Sequence, residues 1–263
     1  MARRVHLLTT VSVGFMGALA AGAARAEGGW IVTVGGRLAA YRPYEGAGTD
    51  VVRPLPSLRI RRASAPYRFV PPDGGSSLAL ISSRYIVVGP MVRFRLARGD
   101  SGKLAGLDKV DFAAEPGAFV ELWPTNWLRG RFEGRHGVFG HDAFIGDAAL
   151  DLIPTGETWS ASIGPRVGYG DANYFDTYFG VTPAEAARSP FIKTPYDPGG
   201  GRRYAGVEVA VGRHFGKRWQ AIADVGYHRL APSAANSPVV EIAGSPDDFS
   251  AGLSLTYSFT VFK

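Results

Sequence analysis

The chain of 263 residues contains no cysteine and only three methionines. Lack of cysteine excludes a disulfide scaffold, a CxxC zinc site, a thiol nucleophile and an acylated N-terminal cysteine. Beyond the N-terminus no stretch reaches the roughly 18 uninterrupted apolar residues of a membrane-spanning helix. The GxxxxGK[ST] phosphate cradle, the GxSxG elbow and the HExxH zinc motif are also missing. What is abundant is glycine, at 35 residues, and aromatic side chains, at 12%, beside a 46% hydrophobic share that argues against disorder.

The first 26 residues have the form of an export signal. Arg3 and Arg4 are a basic start, Val5 to Ala21 is apolar, and Ala24-Arg25-Ala26 is an A-x-A cleavage site. Residues 1–26 are therefore expected to be a signal peptide, cut after Ala26 with Ala24 at the other small position. The mature domain would span 27–263. Removal of Arg3, Arg4 and Arg25 lowers Lys+Arg from 29 to 26 against 23 acids, a charge of +3 rather than +6. That excess is too small to indicate a nucleic-acid partner.

The mature chain alternates polar and apolar residues with period two, segment after segment. Leu253, Leu255, Tyr257, Phe259 and Val261 share one face, with Ser254, Thr256, Ser258 and Thr260 on the other. Trp159, Ala161, Ile163, Val167 and Tyr169 oppose Ser160, Ser162, Gly164, Arg166 and Gly168. Trp219 to Tyr227, Ala205 to Phe215 and Ile86 to Leu96 repeat the pattern. The segments run about 12 to 15 residues, long enough to cross a bilayer at a tilt. Aromatics such as Trp30, Trp159, Tyr169, Trp219 and Tyr227 stand near segment ends on the apolar face, as membrane-interface girdles do. Apolar outside and polar inside describes a transmembrane antiparallel up-and-down β-barrel in the outer membrane of a Gram-negative cell, with lipid as the partner of its outer face.

Short and long connections alternate. Ser82-Ser83, Pro124-Thr125-Asn126, Thr155-Gly156 and Gly216-Lys217-Arg218 are short; the stretches near 41–54, 98–111, 137–142, 172–201 and 230–248 are long. Short turns belong in the periplasm and long loops outside, which puts both termini in the periplasm. Ten strands are expected, at about 29–40, 55–82, 84–97, 112–123, 126–137, 142–154, 157–171, 202–215, 217–229 and 249–262. The second contains Pro71-Pro72-Asp73-Gly74-Gly75 and must be bulged or split there, so twelve strands is the alternative.

The polar phase places Arg59, Arg61, Arg93, Arg95, Glu121, Arg129, Arg131, Glu133, Arg135, Asp147, Asp151, Arg166, Glu208 and Asp224 in the lumen. A barrel of this size is only slightly wider than one its side chains fill. Opposite charges there are expected to pair: Arg93, Arg129, Arg131 and Arg166 with Glu121, Glu133, Asp147, Glu208 or Asp224. The pairs would plug the barrel; the competing reading is an anion-leaning pore. His136, His141, His214 and His228, with Ser162 or Ser254, are the conceivable catalytic pairs, and His136 with His141 a weak metal pair. With no motif behind them, neither enzyme nor cofactor is expected.

Several stretches resemble a known family. Gly164-Pro165-Arg166 through Tyr174, the run Tyr178-Phe179-Gly180-Val181-Thr182-Pro183-Ala184-Glu185-Ala186-Ala187-Arg188-Ser189, the stretches Tyr227-His228-Arg229-Leu230 and Ala234-Ala235-Asn236-Ser237-Pro238-Val239, and the closing Gly252 to Phe259 are similar to the signature of the MipA/OmpV family (MltA-interacting protein). Ser233, Pro190 and the added Thr260-Val261-Phe262-Lys263 depart from it. The resemblance implies an outer-membrane scaffold that joins a lytic transglycosylase to a murein (peptidoglycan) synthase. A small-solute channel or a stress-responsive surface protein is the alternative. Within the signature loop, Thr182, Pro183 and Glu185 have the spacing of a capping box for a short helix ending at Arg188, stopped by Pro190. That loop is either a lid over the barrel mouth or a recognition element. The last strand, with Gly252, Leu255, Tyr257 and Phe259, resembles the signal read by the barrel-assembly machinery.

Overall fold

A computed structural model describes residues 29–261. The expected signal peptide, with Ala24 and Ala26, lies outside the described residues. Thirteen strands follow in chain order: β1 (Trp30–Tyr41), β2 (Val51–Arg62), β3 (Ser76–Leu78), β4 (Ile81–Ser82), β5 (Ile86–Arg95), β6 (Ala113–Leu122), β7 (Leu128–His136), β8 (Val138–Phe139), β9 (Phe144–Leu152), β10 (Trp159–Gly170), β11 (Gly201–Phe215), β12 (Trp219–Leu230) and β13 (Asp247–Val261). β3 with β4, and β7 with β8, are each one strand interrupted by a kink, since both members of a pair face the same neighbour. The result is a closed barrel of 11 strands, in which β1 pairs with both β2 and β13 and leaves no open seam between the first strand and the last.

The count corrects the expected ten strands and the alternative twelve. The residues read as one strand over 55–82 do three things. β2 descends to Arg62, Ala63 to Gly75 folds back into the lumen, and β3 descends again, parallel to β2 with Arg59 opposite Ser77. The proline-rich stretch cannot supply ladder donors, so it is relegated to the interior, and the re-descent inserts an odd strand without moving either terminus. Above Arg59, β1 is the only ladder partner of β2 among the described residues. Pro54 and Pro56 sit on this part of the strand, where they have no N–H to leave unpaired.

The outer surface is apolar, with Phe94 at 64% and Leu253 at 66% exposed. Tyr85, Trp127, Trp159 and Trp219 ring the short-turn end; Phe94, Phe112, Phe144, Tyr169 and Phe249 ring the other. Among the described residues no helix is long and apolar enough to cross a membrane; the strands cross it.

The long loops build a cap. α1 (Ala172–Phe179), α2 (Pro183–Arg188), α3 (Pro232–Ala235) and α4 (Pro238–Ala243) pack over the long-loop mouth. Their core is Tyr174, Phe175, Tyr178 and Phe179 with Ile145, Leu230, Ala234 and Val240, all buried. α2 has the expected capping box: Glu185 N–H donates to Thr182 Oγ1 at 3.2 Å, and Thr182 N–H to Glu185 Oε2 at 2.8 Å. Asp171 caps α1 and also accepts from Phe144 N–H at 2.7 Å, which ties the cap to β9. Ser237 caps α4 and donates to the Phe179 carbonyl at 2.5 Å.

Candidate functional site: a layered lumen over an open vestibule

The inward residues form two charge-balanced layers beneath the cap. In the upper one, Arg95 Nε donates to Glu115 Oε1 at 2.8 Å and Arg135 Nη1 to Glu115 Oε2 at 3.0 Å. Arg135 also pairs with Asp147, which Arg203 Nη2 reaches at 2.6 Å and Tyr204 Oη at 2.7 Å. Arg203 further pairs with Glu45. Three arginines thus meet three carboxylates. The cap rests directly on this layer: the Arg95 guanidinium lies 5.2 Å from the Tyr174 ring centre and 5.5 Å from that of Tyr178, and Arg203 lies 5.1 Å from Tyr174.

The middle layer joins four arginines to four carboxylates. Arg93 makes a forked contact with Glu133 at 2.9 and 3.1 Å. Arg131 bridges Glu133 and Glu121, both at 2.7 Å, and Arg129 bridges Glu121 and Asp151, also at 2.7 Å. Arg166 reaches Asp151 at 2.8 Å and Asp73 at 2.7 Å. Asp73 belongs to the inserted segment, so the segment completes the layer. It is held a second time by Arg131, which donates to the Gly74 carbonyl at 3.3 Å, and by Phe69, buried among Trp123, Ile153, Ala210 and Ile222. Gly212 leaves the room for it: a Cβ there would lie 2.6 Å from the Phe69 ring.

Sequence phase and structure can be compared residue by residue. Arg93, Arg129 and Arg131 lie against Glu121 and Glu133, while Arg166 takes Asp73 and Asp151 rather than the other acids of the expected set. Asp224 pairs with Arg37, and Glu208 lies 3.2 Å from His228 Nε2. Arg37 and Glu115 share the inward phase of their strands, a signal that alternation could have found. Arg203 could not be found that way. It sits at an irregularity between Gly168 and Tyr169 of the facing strand, where a β-bulge turns a residue of outward phase inward. Glu45 lies in a loop and Asp73 in the stretch read as strand.

Of the signature-loop residues, Tyr178 and Phe179 are core of the cap. Gly180 follows α1, with its N–H donated to the Phe175 and Asp176 carbonyls. Arg188 Nη2 donates to Asp108 Oδ1 at 2.7 Å. In β13, Leu255 and Phe259 are exposed on the outer face, with Tyr257 against Trp219 at 4.9 Å between ring centres. Gly252 faces inward beside Arg37, whose guanidinium a Cβ would strike. The histidines keep company other than serine: His141 with Glu115 at 3.2 Å, His228 with Glu208, His136 with Asp142 at 3.3 Å, and His214 with Tyr67 at 2.8 Å. Among the described residues no group of three or more His, Asp or Glu side chains converges as metal ligands would.

Below the middle layer the lumen is open. A cavity of about 1030 Å³ rises from the short-turn end to the level of Gly74, Glu121 and Arg131. Its mouth is the turns at Ser82-Ser83, Thr155-Gly156-Glu157 and Gly216-Lys217-Arg218. One end of the barrel is therefore folded shut and the other hollow.

Residues 33–259 match the family model described as MltA-interacting protein MipA. The chain belongs to this family. It is an outer-membrane β-barrel. No curated protein sequence matches it. Solved structures of similar shape are an outer-membrane channel from Pseudomonas putida F1, 12% identical over 90% of this chain and 97% of that one, with a TM-score of 0.40, and the NanC porin, 8% identical over 86% and 98%, with a TM-score of 0.39. LpxR from Salmonella typhimurium is 10% identical over 86% and 99%, with a TM-score of 0.33.

Proposed function

We propose that this MipA-family barrel is a non-enzymatic scaffold of the outer membrane that serves the peptidoglycan machinery from its periplasmic end, with a lytic transglycosylase and a murein synthase as partners. The observation that supports this reading over a small-solute channel is the filling of the lumen. Two balanced ion-pair layers, the inserted segment and an aromatic cap lie between the vestibule and the extracellular surface. A conduit built for solute flux would leave side chains lining a water path rather than neutralising one another across it. The family description, MltA-interacting protein, supports the transglycosylase as partner.

Two measurements on the purified protein test the reading together. In planar bilayers it should show little or no steady conductance, and in detergent extracts it should retain lytic transglycosylase used as bait. A large, steady open pore without retention of the enzyme would overturn the scaffold and leave the channel.

A further inference from the structure

Charge balance, complete in the two upper layers, fails in the vestibule. Six basic side chains line it, Arg59, Arg61, Arg68, Arg131, Lys217 and Arg218, of which Arg131 is already paired in the middle layer, against two acidic ones, Glu121 and Glu157. Neither acid neutralises the excess. Both oxygens of Glu121 are engaged, Oε1 by Arg129 and Arg131 and Oε2 by Trp123 Nε1 at 3.1 Å. Glu157 stands exposed on a turn at the mouth. Among the described residues the side chains of Arg59, Arg61 and Arg68 make no ion pair, and that of Arg59 makes no hydrogen bond.

Arg61 and Arg68 are nonetheless held in place. Arg59 and Arg61 project from the same face of β2. Arg61 Nη1 donates to the Ala65 carbonyl at 2.8 Å, which fixes it against the inserted segment. Arg68 lies over the Trp123 ring, 4.5 Å from its centre, and donates to the carbonyl of Arg84. Tyr67, His214 and Gln220 also line the cavity and hydrogen-bond to one another at 2.8 and 3.1 Å. Guanidinium groups without carboxylates, on low-dielectric walls, focus positive potential into the cleft. Their donor forks match the geometry of carboxylate and phosphate oxygens. The volume is that of a small-molecule site.

We propose that the vestibule is a binding site for a small polyvalent oxyanion, a carboxylate or phosphate compound that enters from the periplasm and is held by Arg59, Arg61 and Arg68. The site does not depend on the scaffold reading, because it rests on the uncompensated arginines and not on the closed lumen. Removing two mutually repelling cations should also leave the barrel at least as stable as before.

The test is titration calorimetry on the folded full-length mature protein in an uncharged detergent, with citrate and inorganic phosphate as probes and glucose as the neutral control. Citrate or phosphate should bind one to one, more weakly as salt is raised, and glucose should not bind. The tighter of the two anions assigns the natural source to carboxylates or to phosphates. Arg59→Gln with Arg61→Gln should weaken binding by about tenfold to a hundredfold per guanidinium lost, while Arg229→Gln, on the extracellular rim, should not change it. Retained heat-modifiable migration on gels shows that the double variant is folded. Should it fail to fold, Arg68→Gln, outside the strands, carries the same expectation. Absence of binding by both anions at millimolar concentration, or equal binding by the wild type and the folded arginine variants, would overturn the proposal.

Discussion

Asp151 shows what a single buried carboxylate does in this lumen. It has no exposed surface and meets Arg129 at 2.7 Å and Arg166 at 2.8 Å. Removing one member of such a network leaves the others desolvated and unpaired, which costs roughly 3–5 kcal/mol, far more than the pair contributes over an apolar filling. Asp151→Asn is nearly isosteric, so its effect isolates the charge. We expect it to lower unfolding stability by about 3 kcal/mol in a urea titration of the lipid-embedded barrel. Glu185, outside the membrane, answers to pH. Burial alone would raise its pKa, but hydrogen bonds from Asp108 N–H, Thr182 N–H and the Thr182 hydroxyl hold it below the usual carboxylate value. A depressed pKa means that the stabilisation is complete above the unfolded-state value near 4.5 and is lost as pH falls through the lower folded-state value. Protease nicking of the cap should therefore rise below about pH 4.5, and Glu185→Gln should raise it at neutral pH and flatten its pH dependence.

At the scale of the element, β13 is the strand whose two faces do different work. Leu253, Leu255 and Phe259 look outward, whereas Ser254 and Ser258 look in, with the Ser258 hydroxyl 2.8 Å from that of Thr33. β13 closes the ring against β1 over eleven residue pairs from Trp30–Val261 to Ala40–Ala251. Charge on the lipid face opposes insertion, whereas charge on the lumen face meets water and the vestibule. Tyr257→Asp with Phe259→Asp should abolish accumulation in the outer membrane, and Ser258→Asp should be far milder, as read by blotting of fractionated membranes. Equal yields would reverse the assignment of faces. The inserted segment makes the complementary point. Pro71 and Pro72 are poor strand residues, and it is Asp73 and Phe69 that give this stretch a place inside.

For the whole molecule, the main asymmetry is between its ends: a helical cap with an apolar core at one, short turns around a hollow basic cavity at the other, the end expected to face the periplasm. The absence of cysteine makes this polarity easy to check, since one introduced thiol is the only one. Phe191→Cys, at an exposed position of the long loop after α2, should react with a membrane-impermeant maleimide on intact cells. Lys217→Cys, on the turn between β11 and β12, should react only after the outer membrane is permeabilised. Labelling in the opposite order would invert the barrel.

Which faces look to lipid, which turns are short, and where the capping box of α2 begins were all determined by the sequence itself. These are local properties: alternation repeats every two residues, and a cap needs only Thr182, Pro183 and Glu185 in order. The partners of the lumen charges were not local. Whether Arg166 meets Asp73 or Asp224 depends on strand stagger and on the path of the inserted segment, neither of which is written within a few residues of Arg166. The bulge that turns Arg203 inward breaks the very alternation by which it would have been read. The parallel descent of β3, and with it the eleventh strand, follows from burying Phe69 and pairing Asp73 across the barrel. The uncompensated arginines of the vestibule were decided only by the tertiary structure: a sequence shows how many charges face inward, but closure of the ring alone determines which of them are left without a partner.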